Sequence, residues 1–433
     1  MGYYVADKYL ENLKKYKYSG VDKSILSKYV LNPFWTWFVT LWPTWVAPNT
    51  ITFLGLCLVL TNLATMIYYD PQYLTEKGGA TGPPNWVYYS WAAGLFWYQA
   101  FDAIDGKQAR RTGMAGPLGQ MFDHGCDAMN TTFEVILAAR AFNLGRSWWT
   151  VVSQVAAVSN FYLTTWEEFH TGTLYLGVFS GPVDGIIIIC IMYAITGYYG
   201  PSLWDTKFVE AVSAENLLAT HAPKLLVQLN DLAISDVFYV IGMIQVFFNV
   251  ALSYRNVYRA RVAINKSPIT PLGRFLPFLV TCFLNIAWLS GSGPLSGAPG
   301  QSYVLYSNCF LPFLGFWAFE FAHQVGKMIL AHVTHQRFPY WDWSWVFTSV
   351  LAMDANAERL FGRQPILHQT TTTSGIVVAL ALLTSFVAYV RFCTLVIQDI
   401  TEYLGIACFS VRKRDPATGE WITAQQLEAK KLL

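Results

Sequence analysis

Four aspartates lie close together in a chain that otherwise carries few charges. They fall within one stretch of 26 residues, DAIDGKQARRTGMAGPLGQMFDHGCD at 102–127. Asp102 and Asp105 are three residues apart, and Asp123 is four residues before Asp127. These spacings place side chains on one helical face, so two helices joined by a loop could direct all four carboxylates at one point. Because unpaired anions are strongly disfavoured near a low-dielectric medium, the pattern predicts a cation site.

The ligand chemistry of this site narrows the choice of metal. Carboxylates alone favour the hard ions Mg²⁺ or Mn²⁺ over zinc or copper, and they do not distinguish between those two. We predict two ions, because a pair of metals can clamp a phosphoryl group during an in-line displacement. Gly106 and Gly119 would let such a ligand approach the backbone. Lys107, Arg110 and Arg111 supply positive charge, although Lys107 and Arg111 could equally be ordinary basic loop residues.

The same stretch resembles the signature of a known family. It fits the pattern D-x2-D-G-x2-A-R-x8-G-x3-D-x3-D at eight positions: Asp102, Asp105, Gly106, Ala109, Arg110, Gly119, Asp123 and Asp127. This pattern is similar to that of the CDP-alcohol phosphotransferases. The resemblance implies that the aspartates bind metal and that Gly106, Ala109, Arg110 and Gly119 surround the CDP group.

The resemblance extends to a branch of that family. The segments APNTIT at 47–52 and TWEEFHTGTLYLGVFSGPVDG at 165–185 are similar to the eukaryotic choline/ethanolamine phosphotransferases. The resemblance is strong over about residues 12–200, with Asp184 in place of an expected glutamate, and mostly topological beyond. It implies transfer of phosphocholine or phosphoethanolamine from CDP-choline or CDP-ethanolamine to diacylglycerol, the last step of the Kennedy pathway, with release of CMP. It also implies a homodimer, and it gives no expectation of a nucleic-acid partner.

Two residues could act as the general base, and the sequence leaves the choice open. His124 follows Asp123 and could take a proton near neutral pH more readily than a metal-bound carboxylate. Neighbouring residues on a helix point about 100° apart, so His124 need not face the metals. Asp127 is the alternative, implied by the resemblance as a base or a ligand of the second metal.

Three polar residues outside the stretch are further predicted contacts. Asn49 either caps the first span or, by resemblance, contacts the nucleotide, and the two roles are compatible. Glu167 and Glu168 lie near the end of the fourth span. They are either part of a solvated loop or, with nearby aromatic rings, a receptor for the cationic head group, since quaternary ammonium groups favour aromatic faces.

The composition indicates which elements position these residues. Of 433 residues, 54% are hydrophobic and 13% are charged, against about 25% charged in soluble domains. This balance excludes an ordinary soluble protein, and segments of about 20 apolar residues mark membrane spans. Ten such segments lie near 50–69, 86–104, 126–144, 148–165, 176–198, 233–253, 271–291, 302–323, 341–356 and 374–398. We therefore predict an all-α integral membrane protein with about ten transmembrane helices.

The charge distribution predicts an orientation and a location. With the N-terminal segment in the cytosol, 20 of the 29 Lys and Arg residues fall in cytosolic loops and ends, as the positive-inside rule requires. Both termini and the active site would then be cytosolic. The segment 22–49 carries four tryptophans and three prolines, which predicts interfacial amphipathic helices. Lys430 and Lys431 resemble a dilysine retrieval signal, which predicts the endoplasmic reticulum membrane, with the Golgi as a second location.

The domain boundaries and the rival functions complete the expectations. We expect interfacial helices over 1–48, the catalytic region over 49–200, C-terminal transmembrane helices over 201–400 and a cytosolic tail over 401–433. The seven scattered cysteines predict neither a disulfide framework nor a zinc site. Rival functions are a CDP-alcohol phosphotransferase for another head group, an aspartate-rich intramembrane prenyltransferase, a cation transporter and a lipid-binding scaffold. The compact, intact aspartate stretch disfavours the last three.

Overall fold

The computed structural model describes residues 2–73, 82–177, 181–213, 229–291 and 302–431. Within these ranges the chain forms sixteen α-helices and four three-residue strands. The helices are α1 Asp7–Leu10, α2 Asn32–Phe38, α3 Pro48–Tyr69, α4 Asn85–Arg111, α5 Pro117–Ala141, α6 Trp148–Thr171, α7 Ile186–Tyr199, α8 Phe208–Ala211, α9 Ile234–Ala263, α10 Leu276–Leu289, α11 Tyr303–Tyr306, α12 Phe310–Val333, α13 Ser344–Ala355, α14 Ala357–Phe361, α15 Thr371–Leu404 and α16 Ala424–Lys431. The strands are β1 Gly20–Asp22, β2 Leu174–Leu176, β3 Arg412–Arg414 and β4 Trp421–Thr423. The predicted all-α membrane protein is confirmed.

Each of the ten predicted spans overlaps a helix. Among the described residues, four helical segments are long and apolar enough to cross a membrane: Pro48–Tyr69, Ile234–Ala263, Thr270–Leu289 and Thr371–Leu404. Val183–Tyr199 is apolar but shorter. The remaining overlapping helices carry more polar residues or, like the 12-residue α13, are short. The total of ten spans stays a prediction.

Helix α12 differs from the span predicted for it at both ends. The apolar run suggested 302–323, whereas α12 covers Phe310–Val333 and is preceded by the separate short helix α11. The final turns lie outside the predicted span because they contain polar residues such as Gln324, which is buried against the rest of the protein. Hydropathy predicts lipid contact, and α12 is instead enclosed by other helices.

Helix α12 lies at the centre of the bundle. It packs against α5, α6 and α15, while α4 packs against α3 and α7, α6 against α9, and α10 against α13. The approach of α12 to α15 requires a glycine, since a Cβ on Gly326 would lie 2.7 Å from the Phe392 ring. One hydrophobic core cluster draws residues from α1 to α15, so the catalytic and C-terminal helices share a core.

The N-terminal segment packs as an amphipathic layer against α3 and α4. Trp35 and Phe38 are buried in a cluster with Ile104 of α4, whereas Trp37 and Trp45 are exposed. This division of aromatic residues is what the predicted interfacial helices require.

Basic side chains of α4 hold that layer in place. Lys107 Nζ donates to Thr36 Oγ1 at 3.2 Å, and Arg111 donates to the carbonyl oxygens of Val39 and Trp42. Two of the three predicted cations therefore anchor the N-terminal layer.

Both chain ends return to the same end of the bundle. The backbone N–H groups of Tyr3, Tyr4 and Val5 donate to the carboxylate of Asp399, at 2.6, 2.7 and 2.7 Å. Strand β1 pairs in parallel with β2, which follows α6. Beyond α15, the β3–β4 hairpin and α16 pack near the start of α3.

Candidate active site

The turn between α4 and α5 brings the two aspartate pairs together. Helix α4 ends at Arg111, and Gly113 adopts a left-handed φ of 67°, which glycine accommodates without a steric penalty. The N–H groups of Met114 and Ala115 donate back to the Ala109 carbonyl at 2.9 and 3.1 Å. The chain then begins α5 at Pro117. This tight reversal sets the last turns of α4 beside the first turns of α5.

All four predicted metal-binding aspartates meet at this point. Asp102, Asp123 and Asp127 each offer a carboxylate oxygen, and these oxygens lie within 4.8 Å of one another. Asp123 also lies within hydrogen-bonding reach of Asp102 and Asp105. The spacing argument thus correctly predicted their juxtaposition.

The carboxylates fit a divalent cation. Asp123 Oδ1 is buried and has no hydrogen-bond partner among the described residues. A buried carboxylate oxygen left unpaired beside three other acids carries a large electrostatic cost, which a bound cation removes. An all-oxygen donor set suits magnesium or manganese.

Two hydroxyl groups that sequence reasoning missed hold the aspartates in position. The Tyr98 hydroxyl donates to Asp127 Oδ1, and the Thr52 hydroxyl donates to Asp105 Oδ2. Tyr98 precedes Asp102 by one helical turn, so the spacing of four could have identified it. Thr52 belongs to α3, and its pairing with Asp105 has no signal in local sequence.

His124 faces a glutamate from another helix. His124 is buried, and its Nδ1 lies 4.0 Å from Glu168 Oε2 of α6. Gln120, one turn before His124, donates to the other carboxylate oxygen of Glu168. The sequence predicts Glu168 as a head-group contact, and the structure places it beside the candidate base. Gln120 was missed altogether.

The neighbouring glutamate points elsewhere. Glu167 Oε1 accepts a hydrogen bond of 2.7 Å from Asn256 Nδ2 of α9. Both glutamates are 3% exposed, so neither belongs to a solvated loop. Successive residues on a helix diverge, and the pair therefore serves two different contacts.

Open space adjoins the residues predicted to surround CDP. A Cβ on Gly119 would meet no atom within 4 Å, and one on Gly106 would meet only Arg110 Nη1 at 3.7 Å. Ala109 is buried beneath the turn. Arg110 is exposed, and within the described part of the chain it has no hydrogen bond to a protein acceptor. Of the three predicted cations, Arg110 is therefore the one free to bind an anion.

Asn49 does not cap helix α3. Ala47 occupies the N-cap position and Pro48 begins the helix, so the capping interpretation is wrong. The Asn49 side-chain nitrogen instead contacts the carbonyl oxygen of Cys408 at 3.2 Å and its sulfur at 3.5 Å. Both contacts come from the segment after α15.

Tyr18 lies at the edge of the acidic site. Burial and the negative charges of Glu168, Asp123 and Asp102 raise the pKa of Tyr18 to about 12. The positive charge of Arg110 opposes this rise. The phenol therefore stays protonated at neutral pH and can donate a hydrogen bond there. The pairing of β1 with β2 keeps this part of the N-terminal segment in place.

Similarity to known proteins agrees with this geometry. Residues 45–212 match the family model for CDP-alcohol phosphatidyltransferases. Choline/ethanolaminephosphotransferase 1 of Saccharomyces cerevisiae is 34% identical over 432 residues, which cover 95% of this chain and 99% of that protein. The chain belongs to the CDP-alcohol phosphotransferase family. It is an enzyme of that kind, and the aspartate cluster is where a divalent metal could bind, as the family generally requires.

Relatives of this phosphotransferase differ in the head group that they are named for. Cholinephosphotransferase 1 of Saccharomyces cerevisiae is 35% identical over 95% of this chain and 99% of that protein. Ethanolaminephosphotransferase 1 of Homo sapiens is 29% identical over 95% of each chain. Identities this close do not select one head group, but they favour phosphobase transfer over prenyl transfer or cation transport.

Proposed function

We propose that this phosphotransferase moves phosphocholine, phosphoethanolamine or both from CDP-choline or CDP-ethanolamine onto diacylglycerol. The products are phosphatidylcholine or phosphatidylethanolamine, and CMP. The observation that carries the proposal is the cluster of Asp102, Asp123 and Asp127, with Asp105 in reach of Asp123, beside an open, glycine-lined space. Similarity over the full length of relatives named for choline and ethanolamine supports it.

Donor binding would use both arms of the α4–α5 turn. Asp102, Asp105, Asp123 and Asp127 would hold two ions, Mg²⁺ or Mn²⁺, whose positive charge offsets that of the diphosphate. Gly106 and Gly119 leave room for the donor beside the backbone. Arg110, which is free of a protein partner among the described residues, would contact a phosphate oxygen.

His124 is our choice for the general base. Asp127 already accepts a hydrogen bond from the Tyr98 hydroxyl. One of its carboxylate oxygens also belongs to the cluster that would bind metal. His124 instead turns Nδ1 toward Glu168, which leaves Nε2 to take the proton of the glycerol hydroxyl. The hydroxyl oxygen then bonds to the β-phosphorus as the bond to the α-phosphate oxygen breaks, and CMP leaves. Glu168 would stabilise the imidazolium that forms.

The head group, the location and the assembly extend this proposal. Glu167 and the aromatic rings near α6 are the head-group contacts that we retain from the sequence. We place the catalytic end in the cytosol and the enzyme in the endoplasmic reticulum membrane, with the Golgi as alternative, on the distribution of Lys and Arg. A homodimer rests on the family resemblance alone. Microscopy of the tagged protein beside organelle markers, with protease accessibility of each terminus, tests location and orientation.

Activity in vesicles tests the central proposal. The purified protein is reconstituted with diacylglycerol and Mg²⁺, given CDP-choline and CDP-ethanolamine in parallel, and followed by CMP release. We expect CMP from at least one donor, with matching phospholipid product, and none from Asp105→Ala at equal amounts of folded protein. Absence of CMP from both donors would contradict the proposal, and turnover of a prenyl diphosphate instead would revive the prenyltransferase.

A further inference from the structure

The segment after α15 folds back onto the catalytic helices although it lies far outside residues 45–212. Val411 and Ala424 are buried in a small cluster with Ala47 at the start of α3 and Met114 in the α4–α5 turn. We call residues 405–431 the C-terminal clasp. It therefore contacts the start of α3 and the α4–α5 turn, which both adjoin the site that would bind the donor.

The clasp fixes the orientation of Asn49. This side chain is 4% exposed, and its nitrogen contacts the carbonyl oxygen of Cys408 at 3.2 Å. Asn49 stands one turn before Phe53 on α3 and three residues before Thr52, which donates to Asp105. A backbone group of the clasp thus sets the position of a residue that adjoins the aspartate cluster.

Phe409 adds an aromatic surface at the same place. Its ring centroid lies 5.4 Å from that of Phe122 and 6.2 Å from that of Phe53, and its side chain is 56% exposed. Phe122 immediately precedes Asp123 and follows Gly119 by three residues, so Phe122 and Gly119 lie on one side of α5. Part of the Phe409 ring is therefore available beside the open space at Gly119.

We propose that the C-terminal clasp forms the nucleoside end of the donor site. Phe409 offers a ring face to the pyrimidine of the donor, and the Cys408 carbonyl acts as a positioning group for Asn49. Aromatic side chains bind nucleobases by stacking, with little dependence on which base is bound. Phe409 would therefore contribute affinity, while other groups select the donor. The inference rests on the proposed function, because the nucleoside belongs to the CDP-alcohol.

Kinetics of two matched variants test the clasp. Phe409→Ala removes the exposed ring beside Phe122, whereas Trp421→Ala removes an exposed ring of the same clasp that stacks on Arg414. We expect Phe409→Ala to raise KM for the CDP-alcohol about five- to tenfold, with kcat and KM for diacylglycerol unchanged. Trp421→Ala should match the wild type. Equal KM for the donor in both variants overturns the inference, as does a rise confined to diacylglycerol.

Thiol labelling gives a readout that does not depend on turnover. Cys408 is partly exposed and adjoins Asn49, whereas Cys57 lies two turns along α3 from Asn49. CMP with Mg²⁺ should slow alkylation of Cys408 several-fold and leave Cys57 unchanged, as measured by mass spectrometry. Unchanged labelling of Cys408 in a wild-type enzyme that turns over CDP-alcohols contradicts the clasp alone. A wild type that neither turns over nor binds CMP contradicts the proposed function itself, and the clasp with it.

Discussion

The Nδ1 atom of His124 lies 4.0 Å from Glu168 Oε2, across the interface of α5 and α6. No hydrogen bond to His124 Nδ1 exists within the described residues, so the glutamate is the acidic group that faces the imidazole. A small closing movement would convert the contact into a hydrogen bond that fixes the tautomer. Catalytic contacts are often long before substrate binds.

We predict unequal effects for the two adjacent glutamates. Glu168→Gln should lower kcat roughly tenfold or more, because the imidazolium loses its counter-charge, and His124→Ala should lower it by about 10²–10⁴. Glu167→Gln is the matched comparison: Glu167 bonds to Asn256 and is a proposed head-group contact, so its loss should raise KM for the CDP-alcohol and leave kcat nearly unchanged. Steady-state CMP release measures all three. If Glu167→Gln lowers kcat more than Glu168→Gln does, the assignment of Glu168 to His124 is wrong.

We predict that single aspartate substitutions separate catalysis from folding. Asp123→Asn should reduce turnover about a thousandfold, while removing a charge whose oxygen is buried without a partner. The apo variant should therefore be at least as stable as the apo wild type. Thermal unfolding with and without Mg²⁺ provides the measurement. A variant that kept the full stabilisation by Mg²⁺ would show that Asp123 is no ligand.

We predict that Tyr98 supports metal affinity through Asp127. Tyr98→Phe deletes the hydroxyl that donates to Asp127 and should raise the metal concentration for half-maximal activity about 10-fold. Tyr88→Phe on the same helix removes a buried hydroxyl with no partner among the described residues, and should change nothing. Titration of activity with Mg²⁺ distinguishes the two variants, and equal curves would refute the role of Tyr98.

We predict that the contact of α12 with α15 depends on Gly326. Gly326→Ala places a Cβ 2.7 Å from the Phe392 ring, and such overpacking costs about 1–3 kcal/mol. Gly242→Ala in α9 is the control, since its Cβ meets no atom within 4 Å. The midpoint of thermal unfolding in detergent should fall for the first variant only. Alanine normally stabilises a helix relative to glycine, so a fall of equal size in both would contradict the assignment of the effect to the α12–α15 contact.

We predict that acid loosens the C-terminal clasp. The Lys430 ammonium donates to Asp415 Oδ2 at 2.6 Å, and this hydrogen bond lowers the pKa of Asp415. Because the carboxyl pKa is lower in the folded protein, the ion pair stabilises the clasp at pH values above the usual pKa of an aspartate. This stabilisation is lost as the pH falls through the lowered pKa. The protection of amides in 405–431 against hydrogen exchange, after correction for the intrinsic pH dependence of exchange, should fall on acidification. Asp415→Asn should show the lower protection already at neutral pH, with no further loss on acidification through this ion pair.

Spacing along one helix predicted the centre of the site, and contacts between distant helices escaped it. The spacing of the four aspartates indicates their grouping before any fold is known, whereas Gly106 and Gly119 are predicted from the close approach of a ligand and from the family pattern. The contact of Glu168 with His124 joins residues 44 positions apart on different helices, and that of Asn49 with Cys408 spans 359 positions. Hydropathy found the helices but misplaced α12, because a polar residue enclosed by protein resembles one at the membrane surface.

The clamp of Tyr3, Tyr4 and Val5 on Asp399 bears on how the enzyme is made. Tyr3 and Val5 precede Asp399, which belongs to α15, by 396 and 394 positions. Because synthesis proceeds from the N-terminus, the carboxylate cannot accept these N–H groups until α15 has been made, after the described helices α1 to α14. A nascent chain therefore lacks these hydrogen bonds to Asp399 until α15 has been made. A truncated product that ends before α15 can never form them.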